Sequence, residues 1–241
     1  MNVMTDKKIL VIVPACNESG NIRTTISELR SLPRPLDIIV IDDGSVDKTA
    51  ALAREAGAAV ISLPFNLGIG GAVQTGFLFA RKKDYAFVVQ VDGDGQHDVR
   101  YLDAILKPVM DDCVDIAVGS RFIPPFLGYQ SSAIRRIGIH FFARLISFLT
   151  RYKVADPTSG FRAFNRRAIA AFASDYPPDF PEPESIVAAK RLGFRLCEVP
   201  VKMRKRGSGR SSIRYLMTLY YMIKVTFAIL LGMMKKRKAV A

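Results

Sequence analysis

The first 120 residues alternate short apolar runs with segments of helical periodicity, and this alternation restricts the fold more than any other feature of the chain. Residues 7–14 and 36–43 are typical of buried parallel strands, and residues 58–63, 85–92 and 114–119 repeat the pattern. The helices between them are predicted at residues 19–32, 47–56, 68–81 and 99–110. The pattern predicts a doubly wound α/β sheet, in which ligands bind at the carboxyl ends of the strands.

A chain of 241 residues with 49% apolar residues is long enough for one large domain or two small ones. It is neither a disordered tail nor a disulfide-stapled miniprotein. The three cysteines are an odd number without metal-ligand spacing, which indicates a reducing compartment and argues against structural zinc. Residues 1–8 are polar and lead directly into the first strand, so no signal peptide is expected.

Acidic residues follow three of the predicted strands at the point where each strand ends. They lie in the segments 14–18, 42–47 and 92–97. Carboxylates that converge on one edge of a sheet repel one another unless a cation or hydrogen-bond donors compensate, so the pattern favours a divalent metal with an anionic ligand. For Asp47 and Asp98, turn chemistry or a helix cap is an equally good interpretation.

The net charge of +13 is concentrated in two segments. Residues 116–155 carry 6 basic side chains and residues 201–241 carry 11, with no acid in either segment, whereas the rest holds 18 basic and 22 acidic groups. Both segments are also rich in Ile, Leu, Phe and Met, which is typical of helices at a membrane surface. The alternatives are phosphates, nucleic acid, or lysines and arginines that are simply solvated.

Four motifs, in this order and spacing, carry a resemblance to a known family. They are PACNE, DDGSVDKT, NLGIGGAVQTG and DGDGQHD, and DPTSGFRAFNR with EVPVKMRKRGSGRSS extends the match. The chain resembles family 2 glycosyltransferases with the GT-A nucleotide-sugar fold. Among these it is most similar to polyprenol-phosphate glycosyltransferases of the dolichyl-phosphate mannose synthase type. The resemblance implies a Rossmann-like sheet that binds a nucleotide sugar, such as a UDP- or GDP-hexose.

Carried over by position, the resemblance implies a pocket for the nucleobase and ribose. Its residues are Pro14, Ala15, Glu18, Ile41 and Asp43. Asp43 would accept hydrogen bonds from the base. Relatives often have an aromatic residue at the position of Ala15 or Cys16, which this chain lacks.

The same resemblance implies a metal site. Asp92 would contact the ribose or the metal, Gly93 would let the backbone approach the nucleotide, and Asp94 with Gln96 would coordinate Mg²⁺ or Mn²⁺. Hard oxygen ligands suit either ion. His97 could support these residues or be a satisfied loop histidine, and no catalytic role is assigned to it.

The basic segments supply candidates for the acceptor. Arg121 and Arg135 have the 14-residue spacing at which the polyprenol-phosphate relatives carry two acceptor-phosphate arginines, and the resemblance places Arg206 on the donor diphosphate. Asp94, Arg121 and Arg206 are thus the predicted catalytic residues. Residues 134–149 form an amphipathic helix, with its apolar residues at Ile134, Ile137, Phe141, Leu145 and Phe148. It could lie at the bilayer interface or pack on the sheet.

Near the C-terminus, residues 215–234 are apolar except for Lys224, with basic residues on both sides. The run could just span a membrane. A seam of period about 3.5 (Leu216, Tyr220, Ile223, Phe227, Leu230 and Met234) favours a helix in the interface, or one packed on a membrane-protein partner or a second copy of the chain. The predicted division is a GT-A domain at residues 1–212 and a membrane-associated helix at residues 213–241.

The resulting hypothesis is an inverting, metal-dependent transfer of a hexose to polyprenyl phosphate at the cytoplasmic face of the membrane. The first alternative is transfer to a saccharide hydroxyl, with Glu182, Glu184 or Asp156 as base. A nucleic-acid-binding protein is disfavoured, because no recognised motif accompanies the charge. A dinucleotide fingerprint fails as well, since Val73 stands where GxGxxG from Gly68 needs glycine.

Overall fold

The structure, a computed structural model, describes residues 8–125, 133–204 and 218–234. Within these residues, seven strands form one sheet: β1 (Ile9–Ala15), β2 (Asp37–Asp42), β3 (Ala59–Ser62), β4 (Phe87–Gln90), β5 (Ile116–Ser120), β6 (Arg162–Asn165) and β7 (Leu196–Pro200). Their order across the sheet is β3-β2-β1-β4-β6-β5-β7.

The five predicted strands are β1 to β5, and all run in the same direction. In the register of the β1–β2 pair Val11 lies opposite Ile38, and in the β1–β4 pair Val11 lies opposite Val89. β6 is inserted between β4 and β5 and is antiparallel to both. β6 and β7 were not predicted. β6 has only four residues and begins with a buried arginine, Arg162, and not with an apolar run. The sheet is therefore mixed rather than wholly parallel.

Helices cover both faces of the sheet. They are α1 (Ile22–Arg30), α2 (Thr49–Glu55), α3 (Gly68–Lys82), α4 (Leu102–Met110), α5 (Ala133–Thr150), α6 (Arg166–Ser174), α7 (Pro181–Arg191) and α8 (Thr218–Met234). The four predicted helices of the first half are confirmed as α1 to α4, with a 3-10 turn before α4. Strand residues alternate between the two cores: Leu10 and Ile12 pack with α3, α6 and α7, and Val11 and Val13 with α1 and α4.

Two helices expose apolar stripes. On α5 the predicted apolar residues Ile137, Phe141 and Phe148 are exposed, while a second apolar face that includes Phe142 and Ile146 packs into the core. The buried face of α5 thus packs on the rest of the fold, and contact of the exposed face with a bilayer stays a prediction.

The helix α8 is built in the same way. Val225 and Ile229 are buried with the core, and part of the predicted seam is exposed (Ile223, Phe227, Leu230 and Met234). No helix in the described part of the chain combines the length and apolar content needed to cross a membrane. The predicted domain boundary at residue 212 lies outside the described residues.

Candidate active site

A cleft of about 600 Å³ opens at the carboxyl ends of β1, β2 and β4. This is the edge at which doubly wound sheets bind ligands. Its walls come from the loops that follow β1, β2, β3 and β4 and from the start of α3. The lining residues are Pro14, Ala15, Cys16, Asn17, Glu18, Asp43, Asn66, Gly68, Ile69, Ala72, Asp92, Gly93 and Asp94. Four of the five predicted pocket residues are among them (Pro14, Ala15, Glu18 and Asp43), together with Asp92, Gly93 and Asp94 of the predicted metal site.

One end of the cleft is organised around the buried carboxylate of Asp43. Its Oδ1 accepts a hydrogen bond of 2.7 Å from the N–H of Leu67, which fixes the orientation of the group. The side chain of Asn66 donates to the Asp43 carbonyl and to the sulfur of Cys16, both at 3.2 Å, and accepts from the N–H of Gly68. This amide ties together the loops that follow β1, β2 and β3.

The β1 loop is held by hydrogen bonds to the loop after β2. Glu18 lies at the wall of the cleft, its N–H donates to Thr49 Oγ1 at 2.8 Å, and one carboxylate oxygen accepts from Asn21. The carboxylate of Asp47 accepts from the backbone N–H groups of Ser19 and Thr49. Burial alone raises the pKa of Asp47, but the hydrogen bonds from Thr49 and Ser19 outweigh it and lower that pKa. Asp47 is therefore a loop-ordering acid.

The other end of the cleft carries Asp92 and Asp94. Asp92 Oδ1 lies 3.2 Å from Gln90 Nε2, and Asp94 Oδ1 accepts from the N–H of Gln96 at 3.0 Å. A Cβ atom at Gly160 would stand 2.8 Å from Asp92 Oδ2, so any side chain at this position would displace that carboxylate. The two carboxylates are thus positioned by their own loop and by the segment before β6.

His97 is buried next to Asp92 and holds its backbone. Its Nδ1 accepts from the Asp92 N–H at 3.0 Å, and its ring stacks on Phe161 with centroids 5.0 Å apart. The proton on Nε2 therefore faces Asp92 Oδ2, which lies 3.6 Å away. His97 is a buried loop histidine that orients an acid.

Asp92 and Asp94 offer carboxylate oxygens, which are suitable ligands for Mg²⁺ or Mn²⁺. In the described part of the chain, no cluster of three or more His, Cys, Asp or Glu side chains could hold a metal ion. An ion held by these two carboxylates alone would have most of its coordination positions left for other ligands. The predicted ligand Gln96 lies beside the cleft, where its Nε2 is 3.4 Å from the Arg204 carbonyl oxygen.

The predicted acceptor residue Arg121 follows β5 and is buried. Its Nε and Nη2 donate to the two carboxylate oxygens of Asp156 at 2.7 and 2.6 Å, and Nη2 also contacts Thr158 Oγ1. Asp156 is fully buried and in turn accepts the Arg121 N–H. The charge of Arg121 is thus compensated by Asp156, and Asp156 is committed to holding this loop rather than to acting as a base.

The two glutamates of the PPDFPEPE segment differ in their surroundings. Glu184 accepts a hydrogen bond from the Phe180 N–H at the start of α7, as a helix-capping residue does. Burial and the nearby Asp92 charge raise the pKa of Glu182, with Arg162 opposing this rise. Arg162 is itself buried and donates to the Glu182 carbonyl and to Ser185 Oγ. Of the two glutamates, Glu182 is therefore the one whose pKa is affected by Asp92, a residue that lines the cleft.

Of the remaining predicted residues, the structure describes the side chain of Ile41, which does not line the cleft. Ile41 is fully buried in the core, because strand alternation turns it to the same side as Ile39. Arg135 lies at the start of α5 and its side chain is outside what the structure describes, and Arg206 lies outside the described residues.

Several residues that line the cleft were not predicted from the sequence. They are Cys16, Asn17, Asn66, Gly68, Ile69 and Ala72. The signal for the last four was the NLGIGGAVQTG motif, which begins four residues after the end of β3, since the end of that strand lies at the same edge of the sheet as β1 and β2.

Comparisons with known proteins agree with this geometry. An uncharacterized protein of Methanocaldococcus jannaschii is 35% identical over 84% of this chain and 84% of its own length. Polyprenol monophosphomannose synthase of Mycolicibacterium smegmatis is 30% identical, covering 88% of this chain and 83% of the relative. The crystal structure of glucosyl-3-phosphoglycerate synthase from Mycobacterium tuberculosis, in complex with Mn²⁺, UDP and glucosyl-3-phosphoglycerate, superimposes with a TM-score of 0.73 at 23% identity, over 95% of this chain and 80% of that one.

The last comparison shows that the fold is the GT-A fold. The profile of Glycosyl transferase family 2 matches residues 10–172, which is more than half of the chain and includes every residue that lines the cleft. The chain therefore belongs to glycosyl transferase family 2.

Proposed function

We propose that this glycosyltransferase moves a hexose from a nucleotide sugar to a polyprenyl phosphate at the cytoplasmic membrane surface, with inversion and with Mg²⁺ or Mn²⁺. The observation that carries the proposal is the arrangement of the cleft. A buried carboxylate, Asp43, stands at one end, the pair Asp92 and Asp94 at the other, and Arg121 follows β5, which β6 separates from β4 in the sheet.

The donor would lie along the cleft. Asp43 has one oxygen committed to the Leu67 N–H, and its carboxylate can accept an N–H of a uracil or guanine base. Similarity to a UDP-bound neighbour supports a nucleoside diphosphate donor, and similarity to polyprenol monophosphomannose synthase supports a hexose as the transferred group. The donor is therefore proposed to be a UDP- or GDP-hexose. The diphosphate would then reach Asp92 and Asp94, and Arg206 is proposed to contact it from the other side.

A metal held by Asp92, Asp94 and Gln96 would neutralise the leaving diphosphate as the anomeric carbon becomes cationic. Gln90 and His97 hold Asp92 in place for this purpose. Asp94 is the residue on which metal binding would depend most, since it lines the cleft and its loop is braced by the N–H of Gln96.

A phosphate acceptor needs no general base, because its second pKa of roughly 6 leaves it largely anionic at pH 7. This fits a site in which Asp156 is paired with Arg121 and Glu184 caps a helix. Arg121 and Arg135 are proposed to bind the acceptor phosphate, with Asp156 keeping the Arg121 fork rigid.

A hydroxyl acceptor is the second candidate, and Glu182 is the observation that favours it. Its carboxyl lies close enough to Asp92 for that charge to help raise its pKa. A carboxyl with a raised pKa beside a transfer site could serve as a general base for an alcohol.

The membrane part of the proposal is supported by the exposed apolar stripes of α5 and α8. Phe148 is 82% exposed, and Phe227 and Leu231 are each 61% exposed. The basic residues of the two segments would face anionic lipid headgroups. The same stripe on α8 could instead receive a membrane-protein partner or a second copy of the chain.

Replacement of Asp94 tests the donor site directly. Asp94→Asn keeps the size of the side chain but removes its charge, so we expect turnover and Mg²⁺-dependent nucleotide binding to be lost with the fold intact. EDTA should have the same effect on the wild-type protein. Binding is measured by calorimetry and folding by circular dichroism, with Asp103→Asn, a half-exposed acid on α4, as the matched control. Full activity of Asp94→Asn would remove the metal assignment.

A further inference from the structure

The donor cleft contains a hydrogen-bonding group for a nucleobase but no ring to stack on it. None of the described residues that line the cleft is aromatic. A nucleobase has two flat faces, and proteins that bind bases commonly place an aromatic side chain against one of them. A stacking residue would therefore have to come from the surface around the cleft.

Phe65 is the candidate, because its side chain is 65% exposed and its ring is not committed to the core. It precedes Asn66, a cleft residue, and stands two positions before Leu67, whose N–H holds the Asp43 carboxylate. The segment that places Phe65 thus also positions the group proposed to read the base edge.

The backbone at Phe65 is held tightly against the β2 loop. Gly44 has φ +68, and a Cβ atom there would stand 2.9 Å from the carbonyl carbon of Phe65 and 2.8 Å from the nitrogen of Asn66. The Asn66 side chain then fixes the loop to Cys16 and to the Asp43 carbonyl. Phe65 therefore has a fixed backbone and a side chain with only two torsions to set, so recruiting its ring costs little conformational entropy.

We propose that Phe65 stacks on the nucleobase of the donor and closes the base end of the cleft. This inference rests on the donor site proposed above and adds a residue to it. Because every base has a π-face, Phe65 would strengthen binding of uridine and guanosine nucleotides alike, while Asp43 contacts the base edge.

The chain has no tryptophan, so Phe65→Trp introduces a single fluorescent reporter. We expect UDP or GDP with Mg²⁺ to quench its emission saturably, with a midpoint equal to the Kd from calorimetry on the same protein. Leu78→Trp is the matched control, because Leu78 is exposed on the same helix whose first turn lines the cleft, about 15 Å further along it. Its emission should not respond to nucleotide.

A second variant measures the energetic contribution. Phe65→Ala should weaken the binding of UDP or GDP by about 5- to 150-fold, while the binding of Mg²⁺-pyrophosphate, which has no base, should not change. Phe65→Tyr should restore nucleotide affinity. Since Phe65 is exposed, all these variants are expected to fold, and the tryptophan reporter stands by itself if the alanine variant does not.

The inference is overturned if calorimetry shows that nucleotide binds to Phe65→Trp while the tryptophan emission of that variant does not change. It is equally overturned if Phe65→Ala binds UDP and GDP with the affinity of the wild type. It is also overturned if the tryptophan responds only to anionic lipid vesicles, which would place Phe65 at the membrane. A wild-type protein that binds no nucleotide at all would instead refute the proposed donor site, and this inference with it.

Discussion

Arg121 and Asp156 form the most deeply buried ion pair in the described part of the chain, with side-chain exposures of 9% and 0%. The bidentate contact matches the planar guanidinium to the carboxylate. Asp156 is held in turn by its own N–H, which donates to Glu198 at 2.7 Å. The pair therefore fixes the loop before β6 beside Asp92.

Loss of the negative charge should destabilise the fold. Asp156→Asn leaves the Arg121 guanidinium buried without a counterion, so we expect the free energy of unfolding to fall by about 3 to 5 kcal/mol. Urea unfolding followed by circular dichroism measures this. Asp84→Asn breaks the exposed pair with Arg166 and should cost less than about 1 kcal/mol. Equal losses in the two variants would mean that the buried pair contributes no more to the free energy of unfolding than the exposed pair does.

At the residue scale, sequence reasoning found the acids of the cleft because each follows a strand whose carboxyl end reaches the same edge. It misplaced Ile41, which strand alternation buries in the core. The partner of Arg121 was also missed, since Asp156 is 35 residues away and only the tertiary fold brings the two together.

The loop after β4 is fastened to the segment that follows β7. His97 and Met203 form an antiparallel bridge, and the Arg204 N–H donates to the Gln96 carbonyl at 2.8 Å. The Arg204 guanidinium then contacts Glu28 on α1 and the buried Asp98. The predicted metal loop is thus tied at one point to α1 and to the residues that lead toward Arg206.

This attachment should depend on pH through Asp98. Hydrogen bonds from Arg100, with a further contribution from Arg204, lower the pKa of Asp98 to about 2. A depressed carboxylate pKa stabilises the fold above the unfolded value near 4, and this stabilisation is lost as the pH falls toward 2.

We therefore expect the free energy of unfolding of the wild type to exceed that of Asp98→Asn by about 1 to 2 kcal/mol at pH 6. The difference is kept this small because Arg100 is mostly exposed, so that solvent screens its contact with Asp98. The difference should shrink below pH 4. Urea unfolding of both proteins between pH 6 and pH 3 measures it. A difference that stays constant over this range would show that Asp98 is not ionised in the way described.

The stripe on α8 allows a test of membrane binding that leaves the fold intact. Deletion of residues 213–241 would remove Val225 and Ile229 from the core, so substitution is the better experiment. Phe227→Gln with Leu231→Gln should weaken binding to anionic vesicles by about tenfold to a hundredfold, because two exposed apolar groups no longer enter the interface.

Vesicle sedimentation measures this effect, and Val46→Gln, at a side chain 93% exposed in the loop after β2, is the control. Unchanged sedimentation of the double variant would move the membrane contact to α5. If the variant also changed its oligomeric state, the stripe would be a contact between copies of the chain.

The elements themselves were largely predictable, because hydrophobic periodicity is local. β1 to β5 and α1 to α4 came from that signal alone. β6 could not be found in this way, since its four residues pair with β4 and β5 through non-local hydrogen bonds. On α5 the exposed stripe was recognised, but the buried face that holds Phe142 and Ile146 was not, because both faces are apolar and only packing distinguishes them.

On the scale of the whole molecule, the cleft and the apolar stripes suggest one reaction with two substrates of different solubility. A water-soluble donor would enter at the edge of the sheet, and a lipid acceptor would approach from the side of α5 and α8. The uneven charge agrees with this arrangement, since the basic residues are concentrated in the two segments that contain those helices. The arrangement depends on the acceptor being a lipid phosphate.

Direct comparison of two acceptors tests that claim. The wild-type protein is incubated with Mg²⁺, labelled UDP- or GDP-hexoses, and vesicles that contain either polyprenyl phosphate or the polyprenol of the same length. Label should pass to polyprenyl phosphate at least about a hundredfold faster than to the alcohol, because only the phosphate is an anionic nucleophile that arginines can hold. Glu182→Gln should keep that activity. Transfer to the alcohol at an equal or higher rate, lost in Glu182→Gln with donor binding intact, would contradict the account and establish a hydroxyl acceptor.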